Sequence, residues 1–292
     1  MDEDGFRLSE ARVAIVGLGL MGASLAMDLR GHCAELIGVS RSPETLNFAL
    51  EHHIVNRVTD FDSALDCDLL VLAAPVRTII KQLQQIGNTP FAVRSIRPTV
   101  VIDLGSTKTE IVQAMQALPS RFDPVGGHPM CGKEMAGIRS AETGLYRDKI
   151  FVLTPLERTS VGALALISKM IEIIGSVPLV LSPEQQDTLV AATSHLPYLA
   201  ACALMRMALA KGDEQFWSVA ASGFRDTSRL AASDLTMMID ILLTNRTAII
   251  HSLKDYRAEL DGLVSLLESG DEDRLRTALE PAQQKRAQLF KS

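Results

Sequence analysis

An excess of positive charge is missing from this chain. Lysine and arginine number 29 against 35 aspartates and glutamates, a net charge of −6, and the deficit is evenly spread, with 17 basic and 20 acidic groups before residue 183 and 12 and 15 after it. That balance excludes the basic stripe of a nucleic-acid binder. A bilayer span is missing as well: no apolar run reads as approaching the roughly 18 to 20 residues a spanning helix needs. The opening "MDEDGFRLSE" has neither a basic nor an apolar segment and does not read as a secretory signal. Four cysteines, Cys33, Cys67, Cys131 and Cys202, are scattered without a CxxC pair or zinc spacing, so reduced thiols, no metal and a cytoplasmic setting are expected. No internal repeat or low-complexity tract stands out.

What is present is core-forming material, 47% hydrophobic against 22% charged. In the first half, short apolar runs alternate with helical patterns: "RVAIVGLG" (12–19), "LIGVS" (36–40), "LLVLAAP" (69–75) and "TVVIDLGS" (99–106). Their continuous hydrophobicity, without polar alternation, predicts strands buried on both faces of a parallel sheet. "FDPVG" (122–126), "KIFVLTP" (149–155) and "VPLVLS" (177–182) extend it. From Pro183 the pattern is helical to the end, opened by Ser182 ahead of Pro183, with Glu184 and Asp187 in the first turn and a kink expected at Pro197. The expectation is an α/β fold: a Rossmann-type dinucleotide-binding domain over residues 1–182, then an all-helical domain over 183–292. Surplus apolar faces in "TMMIDILLTNRTAIIHSL" point to a homodimer through the helices.

Gly17-Leu18-Gly19-Leu20-Met21-Gly22 matches G-x-G-x-x-G between a predicted strand and a predicted helix. Gly17 permits the turn, Gly19 admits a pyrophosphate, and Gly22 lets the helix pack. The backbone at Leu20 and Met21 then opens a helix whose free N–H groups favour phosphate. About 20 residues on, NAD-binding chains place an acidic residue against the ribose 2′-hydroxyl. Here the strand ends in Ser40-Arg41-Ser42, which suits a 2′-phosphate, so NADP is favoured over NAD. Read alone, Arg41 could instead be a solvated surface charge, the lesser of the two readings.

A second group of residues falls on the same predicted edge. "VVIDLGSTK" ends a strand at Ser106, and "FDPVGGHPMCGKE" ends the next in a strand-end loop carrying His128. Alone, His128 reads as a hydrogen-bonded loop histidine; beside a dinucleotide it reads as an acid/base group, with Ser106 orienting its ring or touching the nicotinamide. A Cys131–His128 nucleophile lacks a third partner, and Lys133 with Glu134 reads as a solvated pair. In the helical half, His195 lies just before Pro197 and alone reads as structural. Arg225 and Arg229 stand four apart, and Asp226 could orient Arg229 for a carboxylate.

Together "GLGLMGASLA" (17–26), "DLGSTK" (103–108), "GGHPMCGKEMAG" (126–137), "SHLPY" (194–198) and "GFRDTSRLA" (223–231) resemble the prephenate/arogenate dehydrogenase family over most of the chain. The resemblance implies NADP-linked oxidative decarboxylation of a small cyclohexadienyl substrate in tyrosine biosynthesis. In it His128 matches the catalytic histidine and Ser106 its assisting serine. Arg229 matches the arginine on a substrate carboxylate, and His195 a histidine lining the pocket. Tyr198 stands where members often have a second histidine, a position facing the substrate side chain. The Ser40-Arg41 pair resembles the arogenate-using members, so arogenate is expected ahead of prephenate. Two other readings are a β-hydroxyacid dehydrogenase, for which Lys211 and Lys254 lack the expected glycine-rich setting, and a non-enzymatic NADP-binding sensor, which leaves His128, Ser106 and Arg229 without a role.

Overall fold

The computed structural model describes residues 7–88, 97–133, 135–211 and 214–289. Strand β1 (Arg12–Val16) leads into helix α1 (Leu20–Leu29), followed by β2 (Glu35–Val39), α2 (Pro43–Glu51) and the short β3 (Arg57–Val58) and α3 (Phe61–Ala64). Then come β4 (Leu69–Leu72), α4 (Val76–Asn88), β5 (Thr99–Asp103), α5 (Thr109–Gln116), β6 (Phe122–Pro129), β7 (Ile150–Pro155), α6 (Val161–Ile173) and β8 (Val177–Val180). These strands form one sheet in the order β3-β2-β1-β4-β5-β6-β7-β8.

Successive strand residues point to opposite faces, and here both faces are buried. Val13, Ile15, Leu69, Val71 and Ile102 pack on one side with Leu25 and Leu29 of α1 and Ile167 and Met170 of α6. Ala14, Val16, Leu70, Leu72 and Val101 pack on the other with Ile79 and Leu83 of α4 and Ile111 and Met115 of α5. This two-sided burial is why the strands read as unbroken apolar runs.

The sheet is parallel from β3 through β6, but β7 runs antiparallel to β6, and β8 then follows β7 in parallel. The returning strand alters the reading of residues 126–129. They are not a strand-end loop: β6 continues through Pro129, with His128 opposite Val152 and Gly127 opposite Leu153. The ladder to β7 supplies partners that keep the stretch extended.

After β8 every described element is helical. Helix α7 (Pro183–Val190) passes through a π-helical turn (Ala191–His195) into α8 (Leu196–Lys211), and α9 (Glu214–Val219), α10 (Ser222–Ser228) and α11 (Leu235–Thr244) follow. The expected kink at Pro197 is thus taken up by a change of helical register in the turn before it, which accommodates a residue with no N–H. Long helices α12 (Arg246–Ser269) and α13 (Glu272–Leu289) complete the chain. It divides into two compact units, Met1–Asn245 and Arg246–Ser292, so the change to all-helical structure after residue 182 falls inside the first. Among the described residues one helix, Pro183–Lys211, is long and apolar enough to pass as a bilayer span by length and composition, which the reading by runs missed. Its Gln186 and Asp187 are nonetheless hydrogen-bonded to residues following β5 and on β6, as described below.

Gly127 shows how tightly β5 and β6 are drawn together: a Cβ there would lie 2.5 Å from the Asp103 carbonyl oxygen and 2.9 Å from the Ile102 side chain. Gly127→Ala is therefore expected to destabilise the protein by about 1–3 kcal/mol, the usual cost of overpacking. Urea unfolding measures it; a loss below about 0.5 kcal/mol, the scatter of ordinary surface changes, would show that the strands yield.

Candidate active site

The glycine loop runs from β1 into α1. Gly17 has φ +103°, and a Cβ on it would lie 2.2 Å from the Ala73 carbonyl oxygen at the end of β4. A Cβ on Gly22 would meet the Gly17 carbonyl oxygen at 2.0 Å, whereas nothing lies within 4 Å of the corresponding point on Gly19. Two glycines thus close the turn against the sheet and the third leaves open space. Gly19 caps α1 without a side-chain cap, and Leu20 and Met21 follow, so the helix start presents unsatisfied N–H groups beside that space. This cradle fits a dinucleotide pyrophosphate.

Directly beyond β2, Ser40 accepts a hydrogen bond from the Ser42 N–H at 3.2 Å, and Ser42 caps α2 through the Thr45 N–H. Arg41 between them is exposed. No carboxylate follows the strand until Glu44, which Arg139 engages at 3.2 Å while its guanidinium lies 4.8 Å from the centre of the Phe48 ring.

The second part of the site lies at the carboxyl ends of β5 and β6. Asp103 closes β5 and is fully buried; its carboxylate accepts from the Gly105 N–H at 2.8 Å and the Gly127 N–H at 3.0 Å and pairs with the fully buried Lys108. Burial pushes Asp103 up and Lys108 down, each shift opposed by the partner's charge. His128 is partly buried in β6, and its pKa is pushed down to about 3, first by burial and then by the Lys108 charge, against a hydrogen bond to Gln186. It is a neutral imidazole at any ordinary pH.

The helical segment enters through the first turns of α7. Asp187 accepts from the Lys108 N–H at 2.7 Å and the Thr109 N–H at 2.9 Å, capping α5 from outside. Gln186 stands 3.1 Å from His128 Nδ1 and donates to the Ser106 carbonyl oxygen, also at 3.1 Å. Asn245 donates to the Asp187 carbonyl oxygen at 2.7 Å and stands 3.3 Å from His195 Nδ1. His195 is buried at the end of the π turn, and burial pushes its pKa down to about 4 against the charge of Asp187.

Ser106, His128 and His195 are thus drawn into one network, joined by Gln186, Asp187 and Asn245. Sequence reasoning passed over those three, since "PEQQD" reads as the solvated first turn of a helix and Asn245 has no local context. Asp103 did leave a signal, a lone carboxylate closing an apolar strand. The remaining sequence-predicted residues lie on other elements. Tyr198 is buried in a small cluster with Met238 and Ile241. Arg229 is exposed on the 3-10 turn Arg229–Ala232, and Asp226 pairs with Arg225 at 3.2 Å. Burial pushes the Cys131 thiol up to about 11, so it is no thiolate nucleophile. Lys133 pairs with Glu142, while Glu134, its expected partner, lies outside the described residues. Among the described residues no group of three or more His, Cys, Asp or Glu is arranged to hold a metal.

The family model for the prephenate dehydrogenase nucleotide-binding domain matches residues 25–180, and that for the prephenate dehydrogenase dimerization domain matches residues 182–281. A cyclohexadienyl dehydrogenase of Zymomonas mobilis is 30% identical over 95% of each chain. A prephenate dehydrogenase of Bacillus subtilis is 29% identical over 90% of this chain and 72% of its own. Among solved structures, the prephenate dehydrogenase of A. aeolicus with hydroxyphenyl propionate and NAD+ superposes with a TM-score of 0.88 at 30% identity, covering 97% of this chain and 99% of that one. The Synechocystis arogenate dehydrogenase gives 0.79 at 32% identity over 96% and 100%. With a nicotinamide-type nucleotide cradle on one sheet and a neutral histidine on the same edge, the chain belongs to the prephenate dehydrogenase family.

Proposed function

We propose that the protein is an NADP-dependent arogenate dehydrogenase of tyrosine biosynthesis, a cytoplasmic homodimer of a Rossmann domain (1–182) and a helical domain (183–292). The observation that carries the activity is His128, neutral and hydrogen-bonded at the end of β6 on the edge that carries the glycine cradle. Ligands of open parallel sheets bind beyond the carboxyl ends of the strands, which is where both features lie.

Gly17, Gly19, Leu20, Met21 and Gly22 hold the pyrophosphate, and Ser40, Arg41 and Ser42 take a 2′-phosphate through charge-assisted hydrogen bonds. A bound nicotinamide supplies the hydride acceptor. His128 takes the proton of the substrate ring hydroxyl as hydride leaves the same carbon, and returns it to that oxygen as the ring carboxylate departs as carbon dioxide. The proton is borrowed, and the two electrons leave with the hydride. Ser106, joined to His128 through Gln186, would contact the nicotinamide. Arg229 binds a substrate carboxylate, His195 lines the pocket, and Tyr198 faces the side chain. Aromatisation provides the driving force, so the residues chiefly position the substrate.

Arogenate and NADP rest on the absence of a carboxylate directly after β2 and on likeness to the Synechocystis arogenate dehydrogenase. A second reading, prephenate with NAD, is favoured by the A. aeolicus relative solved with NAD+. Dimerisation is supported by exposed apolar residues at helical spacing, Leu235, Ile239 and Leu243 on α11 and Leu260, Val264 and Leu267 on α12.

Absorbance at 340 nm with each pairing of arogenate or prephenate with NADP or NAD is expected to show fastest reduction for arogenate with NADP. Faster reduction of NAD with prephenate would replace this assignment by the second reading. His128→Ala is expected to keep NADP affinity and lower kcat by roughly 10²–10⁴, the range for general acid/base groups. An unchanged kcat would remove His128 from the chemistry.

A further inference from the structure

Gln186 and Asp187 are 1% and 4% exposed, although they sit in the first two turns of a helix, where side chains ordinarily meet solvent. Asp187 spends its carboxylate on the N–H groups of Lys108 and Thr109, which fixes α7 against α5. Gln186 is then held over the ends of β5 and β6 with little rotational freedom. Its amide nitrogen faces two acceptors, the Ser106 carbonyl oxygen at 3.1 Å and Asp187 Oδ1 at 3.3 Å. Exchanging the amide nitrogen and oxygen would set an oxygen against both, so the assignment follows from the network. The remaining amide oxygen faces His128 Nδ1 at 3.1 Å and has no proton to give.

We propose that Gln186 is a positioning residue that holds His128 in its Nδ1–H tautomer, leaving Nε2 as the proton acceptor. The inference rests on the assignment of His128 as the base. An isolated neutral imidazole prefers the other tautomer, so the acceptor at Nδ1 is what selects this one. His195 shows the opposite arrangement. The Asn245 amide nitrogen, identified by its bond to the Asp187 carbonyl oxygen, faces His195 Nδ1 and makes it an acceptor, so His195 carries its proton on Nε2. One network thus gives two neutral histidines opposite polarity: His128 accepts at Nε2 and His195 donates there.

The test is a long-range proton–nitrogen NMR spectrum of the full chain labelled with 15N-histidine, which distinguishes the two neutral tautomers of each ring. The chain has six histidines, and the His128 pattern is the one lost in His128→Ala. In the unsubstituted protein His128 is expected to show the Nδ1–H pattern; an Nε2–H pattern overturns the proposal without any variant. In Gln186→Met, of similar length but unable to accept the bond, His128 is expected to move towards Nε2–H while His195 stays unchanged and reports an intact fold. There kcat should fall about fivefold to tenfold, the worth of one neutral hydrogen bond, with KM for the cofactor unaltered. An Nδ1–H pattern and unchanged kcat in Gln186→Met would overturn the role. Full turnover by His128→Ala would instead remove the base assignment while leaving the tautomer reading intact, so the two failures are distinguishable.

Discussion

The arrangement of this edge depends on a carboxylate with no access to water. Asp103 ties together the turn after β5, the close approach of β6 and the ammonium of Lys108. A buried charge survives only when its partners are complete, and removing one partner of such a pair typically costs about 3–5 kcal/mol. Here the partners are two backbone N–H groups and one buried lysine, so the pair also fixes backbone. Gly127 is brought within reach of Asp103, and the next residue, His128, is delivered to the strand end. The Lys108 charge in turn disfavours a proton on the neighbouring imidazole. One interaction therefore helps to set the position of His128, the proposed base, and together with burial its neutral state.

The helical segment does more than cover this edge. Asp187 caps α5, Gln186 reaches His128 and Ser106, and Asn245 returns to His195. The buried side chains of Gln186, Asp187, His195 and Asn245 are all engaged in hydrogen bonds, as burial of polar groups requires. Such a network is specific because each member has one tolerable orientation. The π turn before Pro197 belongs to it, since His195 lies at its end.

Much of this was legible in the sequence, and the reasons differ by residue. Unbroken apolar strands announce a sheet covered on both sides, and Gly17, Gly19 and Gly22 mark a turn whose context gives them meaning. His128 stood out only in context: alone it reads as a hydrogen-bonded loop histidine, and the dinucleotide motif on the same edge makes it an acid/base candidate. The antiparallel return of β7 was hidden, because pairing direction leaves no trace in hydrophobic pattern, and with it the continuation of β6 through Pro129. Gln186 and Asp187 were hidden for another reason. A polar first turn is what a solvated helix shows, and only the tertiary placement of α7 over α5 turns those residues inward.

Burial and the Lys108 charge hold the histidine neutral, and linkage gives this a consequence for stability. A histidine that titrates lower in the folded chain than the ordinary value near 6.5 takes its proton preferentially in the unfolded chain, so stability falls as pH drops below about 6.5. The most direct test of the account is an NMR titration of the His128 ring in the intact protein. The account predicts no change in its signals between about pH 8 and pH 5, with protonation far below that range and near 3. A midpoint near 6.5, as in a solvated histidine, would mean that neither burial nor Lys108 governs the residue, and the electrostatic basis of the site would fail.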